Sequence, residues 1–237
     1  IRHWNRANDQ ETEREVSPQR LERVEAAVTG LAVQVLLNLG GVANVTWLGE
    51  ADDEVLAGDV GPGNALIDDW LERRVGARFD DGGRLAAAGR VCEMTLAALL
   101  AQPFFDRPPP KSLDRQDFAQ AVAQAGVERL SDADGAATLT AFTAAAAARI
   151  IPHLPRPPLR WLVCGGGRHN AALMRALTER LGAPVEAVES VGWDGDALEA
   201  QAFAHLAARS RLGLPLSLPG TTGAPRPMAG GRFFSAR

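Results

Sequence analysis

Two glycine turns interrupt apolar runs near the start of the chain, and they restrict what it can fold into. Residues 36–46 read LLNLGGVANVT, and residues 59–70 read DVGPGNALIDDW. Glycine lets a backbone turn sharply or approach a ligand closely, and the N-terminus of a helix attracts anions. A strand that ends in a glycine turn before a helix therefore indicates a phosphate site. An isolated glycine pair is also typical of a bulge or tight turn, so the turns alone leave both interpretations open.

The apolar periodicity around these turns predicts an α/β fold with a mixed sheet. Strands are expected at residues 33–41, 42–48 and 54–60, the last two joined by a polar turn as in a hairpin or meander. A helix is expected from Ala65 to Val75, with Asn64 as its cap. Glycines therefore mark the ends of two predicted strands.

Helices are predicted for most of the remaining chain. They are expected over residues 21–34, 85–101 and 137–154, the last of them stopped by proline. The strand and glycine turn recur in LRWLVCGGGRHN, residues 159–170, before a helix that Gly182 can end. This alternation of strands and helices agrees with the α/β class.

Composition argues against several classes of protein. The 237 residues carry a net charge of −4, with 46% apolar and 23% charged residues, which is the balance of a soluble globular protein. No basic run predicts binding to nucleic acid, no stretch approaches the ~18 apolar residues of a membrane span, and the charged start is unlike a secretory signal. A cytoplasmic protein without a membrane partner is expected. Cys92 and Cys164 lie far apart without a CxxC pair, so packed, reduced thiols are expected.

Side-chain donors flank the first glycine turn. Asn38, Asn44 and Thr46 place amide and hydroxyl groups beside the glycines. The chain has neither G-x-x-x-x-G-K-[ST] nor a matching G-x-G-x-x-G before a helix, so it lacks the P-loop and the dinucleotide fingerprint. The phosphates of a nucleotide are the natural ligand, held by a different fold.

Asp59 ends an apolar strand next to the second glycine turn. A carboxylate at this place could hold a water-coordinated Mg²⁺. A turn aspartate that accepts backbone hydrogen bonds has the same spacing, so both interpretations stay open.

Three glycines follow Cys164 and would form a surface without side chains. A flat adenine or ribose could lie there, with polar edges from Arg168, His169 and Asn170. The alternative is a tight strand-to-helix turn in which Asn170 caps the helix.

Glu199 is the most informative acid near the C-terminus. The last helix is expected to begin at Asp194 or Asp196, and Asp196 with Glu199 makes the D-x-x-E pattern of a capping box. Glu199, Phe203 and Leu206 also share one helical face, which predicts that the carboxylate follows the buried face toward sugar hydroxyls.

The motifs resemble, in order, the C-terminal part of the anhydro-N-acetylmuramic acid kinase family. They are LNLGGVANVT, DVGPGNALIDDW, PPKSLDRQDF, DGAATLTAFTA, LVCGGGRHN and GWDGDALEAQAFA, with GLPLSLPGTTGA at the end. The resemblance runs from residue 36 to residue 231, so residues 1–35 are expected to lie outside it and residues 36–237 to form a C-terminal kinase lobe.

The resemblance implies a fold and a reaction. The fold is an actin-like, ribonuclease H-like ATPase lobe, with a mixed sheet flanked by helices, from a two-lobed kinase. The reaction is opening of the 1,6-anhydro ring of anhydro-N-acetylmuramic acid with phosphorylation at O6, in peptidoglycan recycling. It uses ATP with Mg²⁺, and a homodimer is implied.

Carried over by motif, the resemblance assigns binding roles to individual residues. The phosphate-facing hairpin and the adjacent turn comprise Asn38, Gly40, Gly41, Asn44, Gly61, Gly63 and Asn64. The adenosine side comprises Gly165, Gly166 and Gly167, and Glu199 matches the acid that faces the sugar.

The sequence also departs from the family pattern. Lys111 to Arg115 read KSLDR where the family has Lys-Ser-Thr-Gly-Arg, which leaves the role of both basic residues open. The family's N-terminal half, with its first phosphate loop and its catalytic base, has no counterpart here, so no catalytic residue is assigned and the chain alone is expected to be inactive. Two alternatives stay open: a non-catalytic lobe that binds nucleotide or a partner, and an ATPase of this fold that acts on another sugar.

Overall fold

The computed structural model describes residues 2–5, 10–13, 34–51, 54–114 and 116–234. The strands are β1 (Arg2–Asn5), β2 (Gln10–Glu13), β3 (Gln34–Leu39), β4 (Ala43–Leu48), β5 (Val55–Gly61), β6 (Arg160–Cys164) and β7 (Val185–Ala187). The helices are α1 (Ala65–Val75), α2 (Arg84–Ala88), α3 (Glu93–Leu100), α4 (Ala119–Gln124), α5 (Asp132–Ala148), α6 (Ala171–Leu181), α7 (Leu198–Arg211) and α8 (Pro219–Thr222). The helix predicted over residues 21–34 lies outside the described residues except for its last position.

Five strands form one mixed sheet in the order β5-β4-β3-β6-β7. The pairs β3–β4 and β4–β5 are antiparallel, whereas β3–β6 and β6–β7 are parallel. The predicted meander is therefore present as β3, β4 and β5. Strands β1 and β2 pair separately as a two-stranded antiparallel sheet.

Side chains alternate between the two faces of the sheet, as the period of a strand requires. Ala43, Val45 and Trp47 of β4 are buried in a core that also contains apolar residues of α5 and α6. The opposite face carries a smaller buried cluster with Leu162 and Val188, against which the first residue of α7 packs. Helices thus flank the sheet, and the predicted α/β class with a mixed sheet is confirmed.

Helix α5 lies at the centre of the fold. It begins at Asp132, five residues before the predicted start at residue 137, because Ser131 caps it by accepting a hydrogen bond from the Asp134 N–H at 3.1 Å. Trp70 of α1 packs against Gly135, where a β-carbon would overlap the indole ring. Most α5 residues are buried, so this helix links the sheet to α1 and α3.

The single helix predicted over residues 85–101 is wrong, because the chain forms α2 and α3 with a break at Gly89. In the break, the Arg90 N–H donates to the Asp134 carboxylate at 2.7 Å and the Cys92 N–H donates to the Thr138 hydroxyl at 3.0 Å. These side chains of α5 replace the carbonyl partners that a continuous helix would supply. The composition of this segment favours one continuous helix, but these hydrogen bonds to α5 break it into two helices.

Both cysteines are free thiols. Cys164 is buried, and burial raises its pKa to about 11, as expected for a packed thiol. Among the residues that the structure describes, no helix is long and apolar enough to cross a membrane.

Candidate functional site

Two glycine turns are joined where β3 ends. The Asn64 N–H donates to the Gly40 carbonyl at 2.8 Å, and the Ala65 N–H donates to the Gly41 carbonyl at 3.2 Å. The Asn64 side chain adds a third bond, from Nδ2 to the Leu39 carbonyl at 2.8 Å. The β3–β4 turn and the Gly-Pro-Gly-Asn turn therefore form one unit.

The third glycine turn packs against the same unit. A β-carbon on Gly165 would lie 2.5 Å from Oδ1 of Asn38. One on Gly167 would lie 2.6 Å from Cβ of Leu39 and 3.1 Å from Oδ1 of Asn64. The structure thus brings together the three turns that the sequence predicted separately, and we refer to residues 40–42, 61–64 and 165–167 as the glycine cluster.

Helix α5 packs against the glycine cluster. The Thr143 hydroxyl donates to the Gly63 carbonyl at 2.6 Å, and both groups are buried. Gly63 has φ +51°, and a β-carbon there would overlap the Gly40 carbonyl oxygen, so only glycine fits. Gly61, the last residue of β5, lies beside Ala146 of the same helix.

Three glycines of the cluster are not required by the fold. A β-carbon on Gly41 or Gly166 would meet no described atom within 4 Å, and one on Gly40 would make only an ordinary contact of 3.7 Å with Val42. None of the three has the left-handed backbone that favours glycine. These positions leave an open, side-chain-free surface, which is the form that close approach by a ligand requires.

A row of polar side chains crosses the sheet next to this surface. Asn38 pairs with Asn44, and Asn44 pairs with Asp59, so the three residues lie side by side on one face of β3, β4 and β5. The side chains of Asn38 and Asn44 are half-buried and form no hydrogen bond with another described residue. They remain available to a ligand.

Asp59 is held by the segment of residues 107–114, which runs along the outer edge of β5. The Asp59 N–H donates to the Lys111 carbonyl at 2.9 Å, and the Leu113 N–H donates to Oδ2 of Asp59 at 2.7 Å. Burial raises the pKa of Asp59, although the bond from Leu113 opposes it. Both interpretations of Asp59 therefore have support, because it accepts a backbone hydrogen bond through one oxygen while Oδ1 has no described partner.

A single carboxylate of this kind fits Mg²⁺ that is held mainly by water and substrate phosphates. The described residues contain no group of three or more His, Cys, Asp or Glu side chains that could hold a metal.

Lys111 has a structural contact. Its Nζ donates to the Phe104 carbonyl at 2.9 Å and lies 4.4 Å from the centre of the Phe104 ring. Burial, with repulsion from Arg107, lowers the pKa of Lys111. The ammonium group thus fixes its own loop, whereas Arg115 lies outside the described residues.

Two residues of the third turn that were expected to contact adenosine, Asn170 and Arg168, instead form contacts within the protein. The Asn170 Oδ1 accepts from the Leu173 N–H at 3.0 Å and caps α6, as the alternative interpretation held. Arg168 is buried in ion pairs with Glu189 and Asp196. His169 is exposed, so the open glycine surface and the His169 side chain remain of the predicted adenosine site.

Asn64 occupies the predicted cap position of α1, and the helix has the predicted bounds Ala65–Val75. The expectation of a side-chain cap is wrong, because Asn64 forms no such bond. Its amide is used instead to join the two turns.

The prediction that Glu199 lies on a buried helical face is wrong. Phe203 is 64% exposed and Leu206 is 37% exposed, and Glu199 beside them is exposed as well. The capping box is also absent: α7 begins after Ala197 without a side-chain cap, because Asp196 is paired with Arg168. Helical spacing identified a shared face correctly but could not show that the described chain leaves it uncovered.

Sequence reasoning missed Thr143 and the ion pairs of Arg168. Thr143 is one of three buried threonines in α5, with Thr138 and Thr140, so the sequence alone does not single it out as the partner of Gly63. The partners of Arg168 lie 21 and 28 residues away, and no local pattern connects them.

Two solved structures are weakly similar to this chain. The activator of the 2-hydroxyisocaproyl-CoA dehydratase from Clostridium difficile with bound ADPNP has a TM-score of 0.48 and 13% identity, over 79% of this chain and 66% of that chain. Xylulose kinase from Lactobacillus acidophilus has a TM-score of 0.41 and 15% identity, over 82% of this chain and 42% of that one.

Sequence relatives are much more similar. An anhydro-N-acetylmuramic acid kinase of Rhodospirillum rubrum is 58% identical over 89% of this chain and 56% of its own length. Those of Acidiphilium cryptum and Caulobacter vibrioides are 61% and 54% identical, over 84% and 88% of this chain. This chain spans about half the length of these curated relatives, 54% and 55% in the last two cases.

The family model for anhydro-N-acetylmuramic acid kinase matches residues 25–236, beginning ahead of the boundary at residue 36 that the motifs indicated. The match covers most of the chain, and it agrees with the identities above. The chain therefore belongs to the anhydro-N-acetylmuramic acid kinase family.

Proposed function

We propose that this chain holds ATP for a kinase that converts 1,6-anhydro-N-acetylmuramic acid to N-acetylmuramic acid 6-phosphate in peptidoglycan recycling. The observation that carries the proposal is the open surface of the glycine cluster, where Gly40, Gly41 and Gly166 are glycines that the fold itself does not require. A nucleotide that approaches the backbone closely explains their identity.

The surface offers the chemistry that phosphates need. The half-buried amides of Asn38 and Asn44 can donate hydrogen bonds to phosphate oxygens, and the N-terminus of α1 attracts negative charge. Gly166 leaves room for ribose or adenine on the other side of the cluster. Phosphoryl transfer depends mainly on positioning of the reactants and stabilisation of charge on the phosphates. These residues would contribute to both from one side of the phosphates.

Mg²⁺ would neutralise developing charge on the phosphates when it is bound. Asp59 would hold it, through water, from the polar row. Because the Leu113 N–H donates to Oδ2, Oδ1 is the carboxylate oxygen that has no described partner.

In the proposed reaction, water supplies the hydroxyl at C1 as the bond from C1 to O6 breaks. O6 receives the γ-phosphoryl group, ADP leaves, and one proton is released. Glu199 is proposed to contact sugar hydroxyls from the exposed face of α7. The proposal also includes a cytoplasmic location, where the reaction would draw on ATP, and assembly with a second copy of the protein.

The test has two measurements on the 237-residue chain. The first is calorimetric titration with ATP in the presence of Mg²⁺ or EDTA, for which we expect saturable binding that weakens without the metal. The second is mass spectrometry of the 6-phosphate after incubation with the anhydro sugar. Absence of ATP binding would contradict the proposal. Because the chain alone is expected to be inactive, we expect no 6-phosphate, and repeated turnover by this chain alone would contradict that expectation.

A further inference from the structure

Arg168 connects the third glycine turn to a segment more than 20 residues further along the chain. Its side chain is only 4% exposed. Nη1 donates to the Gly165 carbonyl at 3.0 Å, Nε donates to Glu189 at 2.9 Å, and Nη2 donates to Asp196 at 2.8 Å. One guanidinium therefore joins the third glycine turn to the chain that leads into α7.

The approach to α7 is built closely around this guanidinium. The Glu189 carboxylate that pairs with Arg168 also accepts from the Gly195 N–H at 3.3 Å. A β-carbon on Gly195 would lie 2.6 Å from Nε of Arg168, so the backbone passes directly over the side chain. Asp194 then accepts from the N–H groups of Asp196 and the following residue, at 3.0 and 3.2 Å, which fixes the turn before the helix.

The charges favour a fixed geometry. Burial alone would lower the pKa of Arg168, but the hydrogen bonds that it donates to Asp196 and Glu189 outweigh burial and raise the pKa. The bond from Arg168 lowers the pKa of Asp196, and a backbone hydrogen bond, followed by Arg168, lowers that of Glu189. All three groups stay charged at neutral pH, and the planar fork of arginine can satisfy several acceptors at once.

We propose that Arg168 is a positioning residue that couples the Gly165–Gly167 turn to the start of α7. Glu199 lies three residues after Asp196, so a change at the nucleotide turn would be transmitted to the acid on α7. This assignment rests on the proposed function only for the identities of the two ligands. The physical connection itself is independent of them.

The exposed partners make this role testable. The side chains of Glu189 and Asp196 are 48% and 81% exposed, so both carboxylates remain hydrated when Arg168 is removed. Loss of Arg168 therefore leaves no buried carboxylate without a partner, and its main effect is on geometry.

The experiment is hydrogen exchange with mass spectrometry on the full chain, with and without ATP and Mg²⁺. The variant is Arg168→Gln, and the control is Arg160→Gln, which removes an ion pair with Glu186 at the other end of β6. Without nucleotide, we expect exchange at residues 195–201 to be at least about tenfold faster in Arg168→Gln and unchanged in the control, because the loss of even one of the two charged hydrogen bonds of Arg168 has an effect of that size.

With ATP, wild-type chain should be protected both at residues 165–167 and at residues 195–201. In Arg168→Gln, protection should persist at the turn and disappear at residues 195–201. Equal exchange of variant and wild type without nucleotide would overturn the connection. Persistent ATP protection at residues 195–201 in the variant would overturn the coupling.

Two further comparisons keep the outcomes distinct. If wild-type chain shows no ATP protection at residues 165–167, the proposed function fails, and the comparison without nucleotide still decides the connection. If Arg168→Gln does not fold, Gly195→Ala provides the same test, because its methyl group displaces the guanidinium while all charges remain. Arg168→Lys should restore only part of the protection, since a single ammonium cannot reach all three acceptors in the same geometry.

Discussion

The side-chain amide of Asn64 donates a 2.8 Å hydrogen bond to the carbonyl of Leu39, which lies 25 residues earlier in the sequence. The same residue donates its backbone N–H to Gly40, so its side chain and backbone both hold the β3–β4 turn. Asn64 therefore fixes the relative position of the two turns proposed to face phosphate.

We predict that Asn64→Ala lowers the free energy of unfolding by about 1–3 kcal/mol, because the Leu39 carbonyl loses its side-chain partner at a partly buried site. Urea denaturation measures this. Asn44→Ala is the control, since Asn44 makes no side-chain hydrogen bond with a described residue and should change stability by only about 0.5 kcal/mol. Equal losses in both variants would contradict a specific role for Asn64.

Gly166→Val should leave the fold intact and weaken ATP binding. A β-carbon at this position would meet no described atom within 4 Å, so the larger side chain is expected to occupy the proposed ribose or adenine surface. We expect a loss of about 1–3 kcal/mol of binding free energy in calorimetric titration. Gly230→Val, at an exposed glycine outside the cluster, is the matched control and should bind ATP normally, and unchanged affinity in Gly166→Val would refute the adenosine assignment.

Asp59→Asn should separate stability from function. Because burial raises the folded-state pKa of Asp59, the folded chain binds more protons than the unfolded chain between the two pKa values. Its stability therefore falls as the pH rises through that interval. Asparagine does not ionise and can still accept the Leu113 hydrogen bond, so the variant should be at least as stable as wild type at pH 7, and the difference should shrink as the pH falls through that interval.

The same Asp59→Asn variant should lose part of the Mg²⁺ dependence of ATP affinity. Urea denaturation at several pH values and titration with and without EDTA provide the two measurements. A less stable variant at pH 7, with full Mg²⁺ dependence, would show that Asp59 is only a turn residue.

Glu199→Gln should not change thermal stability, because Glu199 is exposed and forms no hydrogen bond or ion pair with the described residues. If it contacts sugar hydroxyls, affinity for the anhydro sugar should fall by about 1–3 kcal/mol of binding free energy while ATP affinity is retained. Titration with each ligand distinguishes the two effects. Glu72→Gln, at an exposed acid of α1, is the control, and a lower melting temperature with unchanged sugar affinity would restore a structural role for Glu199.

Local sequence was sufficient to predict the elements that local interactions determine. Helix α1 has its predicted bounds because it begins directly after the Gly-Pro-Gly-Asn turn and ends at Gly76, whose φ is 70°. The glycine turns were also recognisable, since paired glycines after apolar runs indicate turns regardless of tertiary context.

Contacts between distant segments decided the rest. The break at Gly89 depends on acceptors in α5, and the engagement of Arg168 depends on carboxylates more than 20 residues away. Periodicity placed Glu199 and Phe203 on one face, but whether a face is covered depends on elements outside the helix. Which glycines are required by the fold, and which are open, likewise becomes visible only when the three turns meet.

The segment of residues 107–114 also covers part of the edge strand β5, which affects whether strands of other protein molecules can pair with the sheet. An outer strand exposes unpaired N–H and C=O groups that can recruit another strand and start aggregation. Beside β5, the Lys111 carbonyl already accepts from Asp59, and Gly220 of α8 packs against the Val55 carbonyl. At the opposite edge, β7 has only three residues. The chain thus carries built-in protection against edge-to-edge growth of its main sheet.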